Sequence, residues 1–127
     1  MPIPKPYTIA IVDDEPSVLE ALGNLLEAVG YFVARFESAE AFLAADSVFS
    51  INCLISDIGM PGMNGIALQA EVGRLRPALP VFLITGRALP TTSGQEAPNN
   101  RGLFRKPFDV QQLLDAIASV LEAAHLS

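Results

Sequence analysis

A single cysteine, Cys53, stands in the whole chain, so no internal disulfide framework can form, and a reducing, cytoplasmic setting is expected. It lies inside an apolar run and reads as a buried, inert thiol. The one histidine, His125, is near the C-terminal end with no supporting motif. Basic residues are scarce: 8 Lys and Arg stand against 14 Asp and Glu, a net charge of −6. Such a surface repels the phosphate backbone, and Arg74, Arg76, Arg101, Arg105 and Lys106 are scattered without aromatic interleaving, so direct nucleic-acid binding is not expected. No stretch is long and apolar enough to span a membrane, and the opening "MPIPKPYTIAIV" lacks the apolar core of a signal peptide. Residues 1–6, carrying Pro2, Pro4 and Pro6, are expected to form a stiff exposed arm. What remains is a globular domain of 127 residues, half of them apolar, large enough to bury a core.

Strands and helices alternate along it. "YTIAIV" is a β-branched apolar run, and Pro16 then suits the first turn of a helix. Val18, Leu19, Leu22, Leu25, Leu26 and Val29 recur at helical spacing, and Gly30 closes that helix. "YFVARF" reads as a second strand, with Ser38 capping a short helix after it. "INCLIS" is a third strand ending at Asp57, followed by the loop "GMPGMNG" and a helix carrying Leu68, Val72 and Leu75. Pro77 and Pro80 stop that helix. "VFLIT" is almost wholly apolar and should be central. "LFRK" is a weaker fifth strand. Asp109 and Gln112 have capping-box-like spacing before a last helix with Val110, Leu113, Leu114, Ile117 and Leu121. The domain is expected over residues 7–124, with 125–127 a tail. This alternation predicts a parallel sheet covered by helices on both faces, with all strand carboxyl ends on one edge.

Chemistry gathers at those ends. Asp13 and Asp14 follow the first strand, Asp57 ends the third, Thr85 and Gly86 follow the fourth, and Lys106 and Pro107 follow the fifth. Three carboxylates, a hydroxyl and an ammonium would share one pocket. An all-oxygen acidic cluster suits Mg²⁺, which would also relieve the repulsion within "DDE". A carboxylate can attack phosphorus, while Thr85 and Lys106 could hold the remaining phosphoryl oxygens. Taken singly, each residue has an ordinary alternative. Acids favour helix starts, an aspartate often marks a turn, a threonine ends many strands, and a lone lysine is usually a solvated charge. Met60 and Met63 read as loop packing.

The stretches "IVDDEPSV", "LISDIGMPGMNG", "FLITG" and "FRKPF" together resemble the receiver domain of two-component response regulators, and "ESAEAFLA" is similar to the FixJ-type branch. The resemblance covers about Tyr7 to Leu121. It implies a CheY-like, flavodoxin-like doubly wound (βα)5 sandwich with strand order 2-1-3-4-5. It implies Asp57 as phosphoacceptor, with Asp14, Asp57 and the Gly59 backbone carbonyl as direct Mg²⁺ ligands and Asp13 acting through water. Thr85, with Gly86 beside it, would be the switch hydroxyl, and Lys106 the phosphoryl-binding lysine. The Lys106–Pro107 bond would be cis. Glu15 is expected to act mainly at the start of the first helix. A sensor histidine kinase would be the phosphoryl donor. A homodimer is left open, as is an output domain, fused or separate. The chain reads equally as a stand-alone regulator or as the front part of a longer one.

Two departures from the family pattern stand out. The usual inward-turning aromatic falls at Leu103, while Phe104, one place on, should face the other way. Residues 87–101, "RALPTTSGQEAPNNR", should hold a fourth helix, but carry two prolines, a glycine and no apolar periodicity. That helix is expected to be short, displaced or absent. A degenerate receiver, serving as an interaction module without switching, is the alternative these departures raise. An Mg²⁺-dependent phosphatase is the other, although "DIG" lacks its usual spacing of two aspartates.

Overall fold

The computed structural model describes residues 7–86 and 97–126. The expected arm (1–6) and most of the segment of the doubtful fourth helix (87–96) lie outside them. Five parallel strands form one sheet in the order β2-β1-β3-β4-β5, where β1 is Thr8–Val12, β2 Phe32–Phe36, β3 Cys53–Asp57, β4 Val81–Thr85 and β5 Asn100–Arg105. Among the described residues there are four α-helices: α1 (Pro16–Val29), α2 (Ala39–Ala44), α3 (Gly65–Leu75) and α4 (Val110–Leu126). The parallel sheet is the one the alternation of apolar runs predicts, and its strand order is the flavodoxin-like one the family resemblance implies.

Period-2 alternation divides the sheet's side chains between two cores. Ala10, Val12, Leu54, Val81 and Leu83 point to one face, where α2 and α3 bring Phe42, Leu68 and Val72. Ile9, Ile11, Ile55, Phe82 and Ile84 point to the other, where α1 and α4 bring Leu19, Leu22, Leu26, Leu113, Ile117 and Leu121. Every residue of β3 and β4 is buried, as a central strand covered on both faces requires. Truncating one of these fully buried large residues would cost roughly 2–5 kcal/mol.

Local signals set the element ends. Pro16 opens α1, and Ser38 caps α2 by accepting a hydrogen bond from the Ala41 amide at 3.0 Å. Asn64 does the same for α3 through the Ala67 amide at 2.8 Å. Asp109 accepts from the amides of Gln111 and Gln112 ahead of α4.

Three boundaries differ from expectation. Strand β5 starts earlier than "LFRK" and ends at Arg105, because parallel pairing with β4 draws in Asn100 and Gly102, whose own strand preference is low, with Arg101 between them. The register shifts between Val81 and Phe82, which face Asn100 and Gly102 and leave Arg101 unpaired in the ladder. Helix α4 runs on to Leu126, into the stretch expected as a tail, since alanine and leucine near its end favour helix. A short 3-10 turn, Ser47–Phe49, precedes β3. Arg76, just past α3, donates to the carbonyls of Val48 and Ile51 and ties that turn down.

Candidate functional site

Parallel pairing puts the carboxyl ends of β1, β3, β4 and β5 side by side. Val12 pairs with Ser56, Asp57 with Ile84, and Thr85 with Arg105, so the residues that follow or end these strands share one edge. Asp13, Asp14 and Asp57 each offer a carboxylate oxygen there, and these atoms all lie within 4.8 Å of one another. Asp13 and Asp57 are buried and Asp14 is exposed. The adjoining open cleft, about 520 Å³, is lined by Asp14, Ile58, Gly59, Met60, Asn64 and Thr85, among others. Thr85 is buried at its wall.

Lys106 enters from β5. Its backbone amide donates to the Thr85 carbonyl at 2.7 Å, which fixes the end of β5 against β4. Its Nζ donates to Asp13 Oδ2 at 3.1 Å and to Glu15 Oε1 at 2.9 Å, and stands 3.6 Å from Asp57 Oδ1. The last distance is an ion pair, too long for a hydrogen bond. The Lys106–Pro107 peptide is cis. Gly86 lies along the lysine stem, where a Cβ would meet Lys106 Cδ at 3.9 Å.

The electrostatics follow from burial and crowding. Burial raises the Asp57 carboxyl to about 6, and the neighbouring Asp13 charge pushes the same way, while Lys106 pulls back. Burial also raises Asp13, although the Glu15 amide and Lys106 oppose it. For Lys106, burial disfavours the ammonium, but hydrogen bonds to Glu15 and Asp13 outweigh that, and its pKa rises. Negative charge is thus in excess around one ammonium. All the donors are oxygens, which is the donor set Mg²⁺ prefers, and a divalent cation among the three aspartates would relieve the crowding. The residues present fit that ion.

Backbone packing holds Asp57 in place. The Ser56 hydroxyl donates to the Asp57 carbonyl at 2.9 Å, and the Gly65 amide donates to the Ile58 carbonyl at 3.0 Å. A Cβ on Gly65 would lie 2.1 Å from the Asp57 carbonyl oxygen, so only glycine lets α3 start this close to the strand end. Nothing in the sequence pattern marked Gly65 for this, beyond its place in a glycine-rich loop. Gly59 is the opposite case, since a Cβ there would meet nothing within 4 Å.

Glu15 corrects the sequence reading. Its carbonyl accepts from the amides of Val18 and Leu19 at the start of α1, but its side chain makes no cap hydrogen bond. The carboxylate turns to Lys106 instead, because a half-buried ammonium offers a stronger, charge-assisted partner than a helix amide. Leu103 packs with the α2/α3 core, whereas Phe104 lies on the α1/α4 side, between Phe82 and Phe108 at centroid distances of 6.2 and 6.5 Å. Cys53 is fully buried, and burial pushes its thiol far above the usual range. No helix among the described residues is long and apolar enough to cross a membrane.

Residues 9–118 match the family model described as the response regulator receiver domain. The chain belongs to this family. Proteins related to it include the response regulator protein TmoT of Ectopseudomonas mendocina, 37% identical over 117 residues, which are 91% of this chain and 53% of that protein. The transcriptional regulatory protein FixJ of Bradyrhizobium diazoefficiens is 30% identical over 117 residues, 91% of this chain and 57% of that one. A crystal structure of a response regulator receiver domain protein from Clostridium thermocellum superposes with a TM-score of 0.86 at 27% identity, covering 94% of this chain and 98% of that one. The receiver spans only about half the length of the curated relatives named here.

Proposed function

We propose that this receiver is a phosphorylation-controlled switch whose phosphoacceptor is Asp57. One observation carries the proposal: the Asp57 carboxylate sits with those of Asp13 and Asp14, and 3.6 Å from the Lys106 ammonium. The donor would be the phosphohistidine of a sensor histidine kinase. An Asp57 oxygen attacks phosphorus, the phosphorus–nitrogen bond breaks, and the imidazole leaves with the bonding electron pair and takes up a proton. With a pKa near 6, Asp57 is mostly ionised at neutral pH and so offers the more nucleophilic carboxylate form.

Asp14, Asp57 and the Gly59 carbonyl would hold Mg²⁺ directly, with Asp13 through water. When bound, the ion supplies charge neutralisation and a hold on a phosphoryl oxygen. The new group carries about two negative charges at neutral pH. Lys106 would follow that charge, exchanging Glu15 and Asp13 for the phosphoryl oxygens. The Thr85 hydroxyl, at the cleft wall, would donate to another, with Gly86 beside it against the Lys106 stem. Two conformations would thereby be re-weighted, with a typical coupling of ~1–3 kcal/mol. The domain turns over no external substrate in this reading. Its output partner is a homodimer mate or an output domain, fused or separate.

Leu103 favours one second reading. It lacks the ring that would turn inward with Thr85, and it packs in the α2/α3 core. A receiver that serves only as an interaction module would tolerate this. Intact mass after treatment with acetyl phosphate and Mg²⁺ separates the two. A switch gains one phosphoryl group, and Asp57→Asn gains none. A wild-type chain that stays unlabelled would be the interaction module, and equal labelling of the variant would place the acceptor elsewhere.

A further inference from the structure

The "SAEAFLA" stretch contributes Phe42 to the core and Ser38 to the cap of α2, but neither use explains Glu40. Its carboxylate leaves α2 and reaches the loop between β3 and α3. There Oε2 accepts a hydrogen bond from the Met63 amide at 2.9 Å. A second observation points to the same contact. Gly62 has φ +73°, and a Cβ on it would lie 2.6 Å from Glu40 Oε2. The carboxylate therefore occupies the space that a side chain at 62 would need. The Met63 amide, followed by Glu40's own, holds the Glu40 carboxyl below its usual range, so it is charged at neutral pH.

This loop matters because it contains Gly59. A Cβ on Gly59 would touch nothing, so no packing at residue 59 itself fixes that backbone. Its order comes from its neighbours. Met60 is buried and Met63 half-buried against the α2/α3 core, and Asn64 is engaged as the α3 cap. Gly62, between Met60 and Met63, is in the left-handed region, and Glu40 accepts from the amide that follows it. We propose that Glu40 is a positioning residue, holding the β3–α3 loop so that the Gly59 carbonyl is already in place when Mg²⁺ binds. The inference rests on the phosphoacceptor reading above. It predicts a change in metal dependence more than in the chemistry at saturating metal, because loop ordering is a cost of forming the site.

The test uses the 127-residue chain and its Glu40→Ala, Glu40→Gln and Gly62→Ala variants. Amide exchange at Met63 is read without metal. The Mg²⁺ concentration giving half-maximal labelling by acetyl phosphate is read alongside the rate at saturating Mg²⁺. Glu40→Ala should speed Met63 exchange and raise the Mg²⁺ midpoint roughly three- to tenfold, the scale of one exposed charge-assisted hydrogen bond, with the saturating rate nearly kept. Glu40→Gln retains an acceptor oxygen and should lie between it and wild type. Should Glu40→Ala fail to fold, Glu40→Gln carries the prediction in weaker form, and Gly62→Ala, strained at φ +73° whatever it touches, shows only whether displacing this segment raises the midpoint. An unshifted midpoint, or unchanged Met63 exchange, in a folded variant overturns the role of Glu40 while wild-type labelling stays intact. No labelling of wild type overturns the phosphoacceptor reading, and this inference with it.

Discussion

The Lys106 ammonium lies 2.9 Å from the Glu15 carboxylate and 3.6 Å from that of Asp57, so the lysine is tethered at the mouth of the pocket and not on the acceptor. Its inner partner, Asp13, is fully buried, whereas Glu15 is largely exposed. The two tethers should therefore differ in weight. Lys106→Ala leaves Asp13 buried without its cation and should cost about 2–4 kcal/mol in metal-free protein. Glu15→Ala removes a solvent-screened pair and should cost less than about 1 kcal/mol. Urea unfolding in EDTA measures both, and equal losses would contradict this weighting.

Asp57 should also make metal-free stability depend on pH. Its folded pKa, about 6, is raised above the usual carboxylate value, so the native state holds a proton that the unfolded chain gives up. That contribution is fully present below about pH 4 and is lost as pH rises through about 6. The shift alone would be worth about 3 kcal/mol, and water in the open cleft reduces the expected effect to roughly 1–2 kcal/mol. Asp57→Asn should thus be more stable than wild type at pH 7.5 in EDTA, with the gap closing towards about pH 4. A gap that is constant with pH would show that Asp57 is not crowded as described.

Gly65 offers a backbone test of the same site. The methyl of Gly65→Ala would meet the Asp57 carbonyl oxygen at 2.1 Å, so either α3 or the end of β3 must move. A loss of about 2 kcal/mol or more is expected, together with labelling slowed on the order of tenfold or more, since small displacements of a nucleophile are costly. Wild-type stability and labelling in this variant would contradict the close approach.

The parts of this site that were legible in the sequence share a property. Asp13, Asp57, Thr85 and Lys106 each end or follow an apolar run, and the side-chain period of a strand together with parallel topology carries them to one edge. Capping by Ser38 was readable for a similar reason, since its partner is three residues away. Contacts between distant elements were not readable. Glu15 and Lys106 are 91 residues apart, and an acid at a helix start already has a sufficient local explanation. Glu40 and Met63 are 23 apart and belong to elements joined only by tertiary packing. Asn100 became strand because Val81 offered it a partner, against its own propensity, and Arg101 is carried along as the unpaired residue at the register shift.

Chemical mapping of the acceptor tests the central claim most directly. An aspartyl phosphate is reduced by borohydride to homoserine, which marks the phosphorylated residue permanently. After treatment with acetyl phosphate and Mg²⁺, then borohydride, peptide mass spectrometry should find homoserine at position 57, and chelation by EDTA should abolish it. Homoserine at residue 13 or 14, or conversion at 57 that persists in EDTA, would contradict the account.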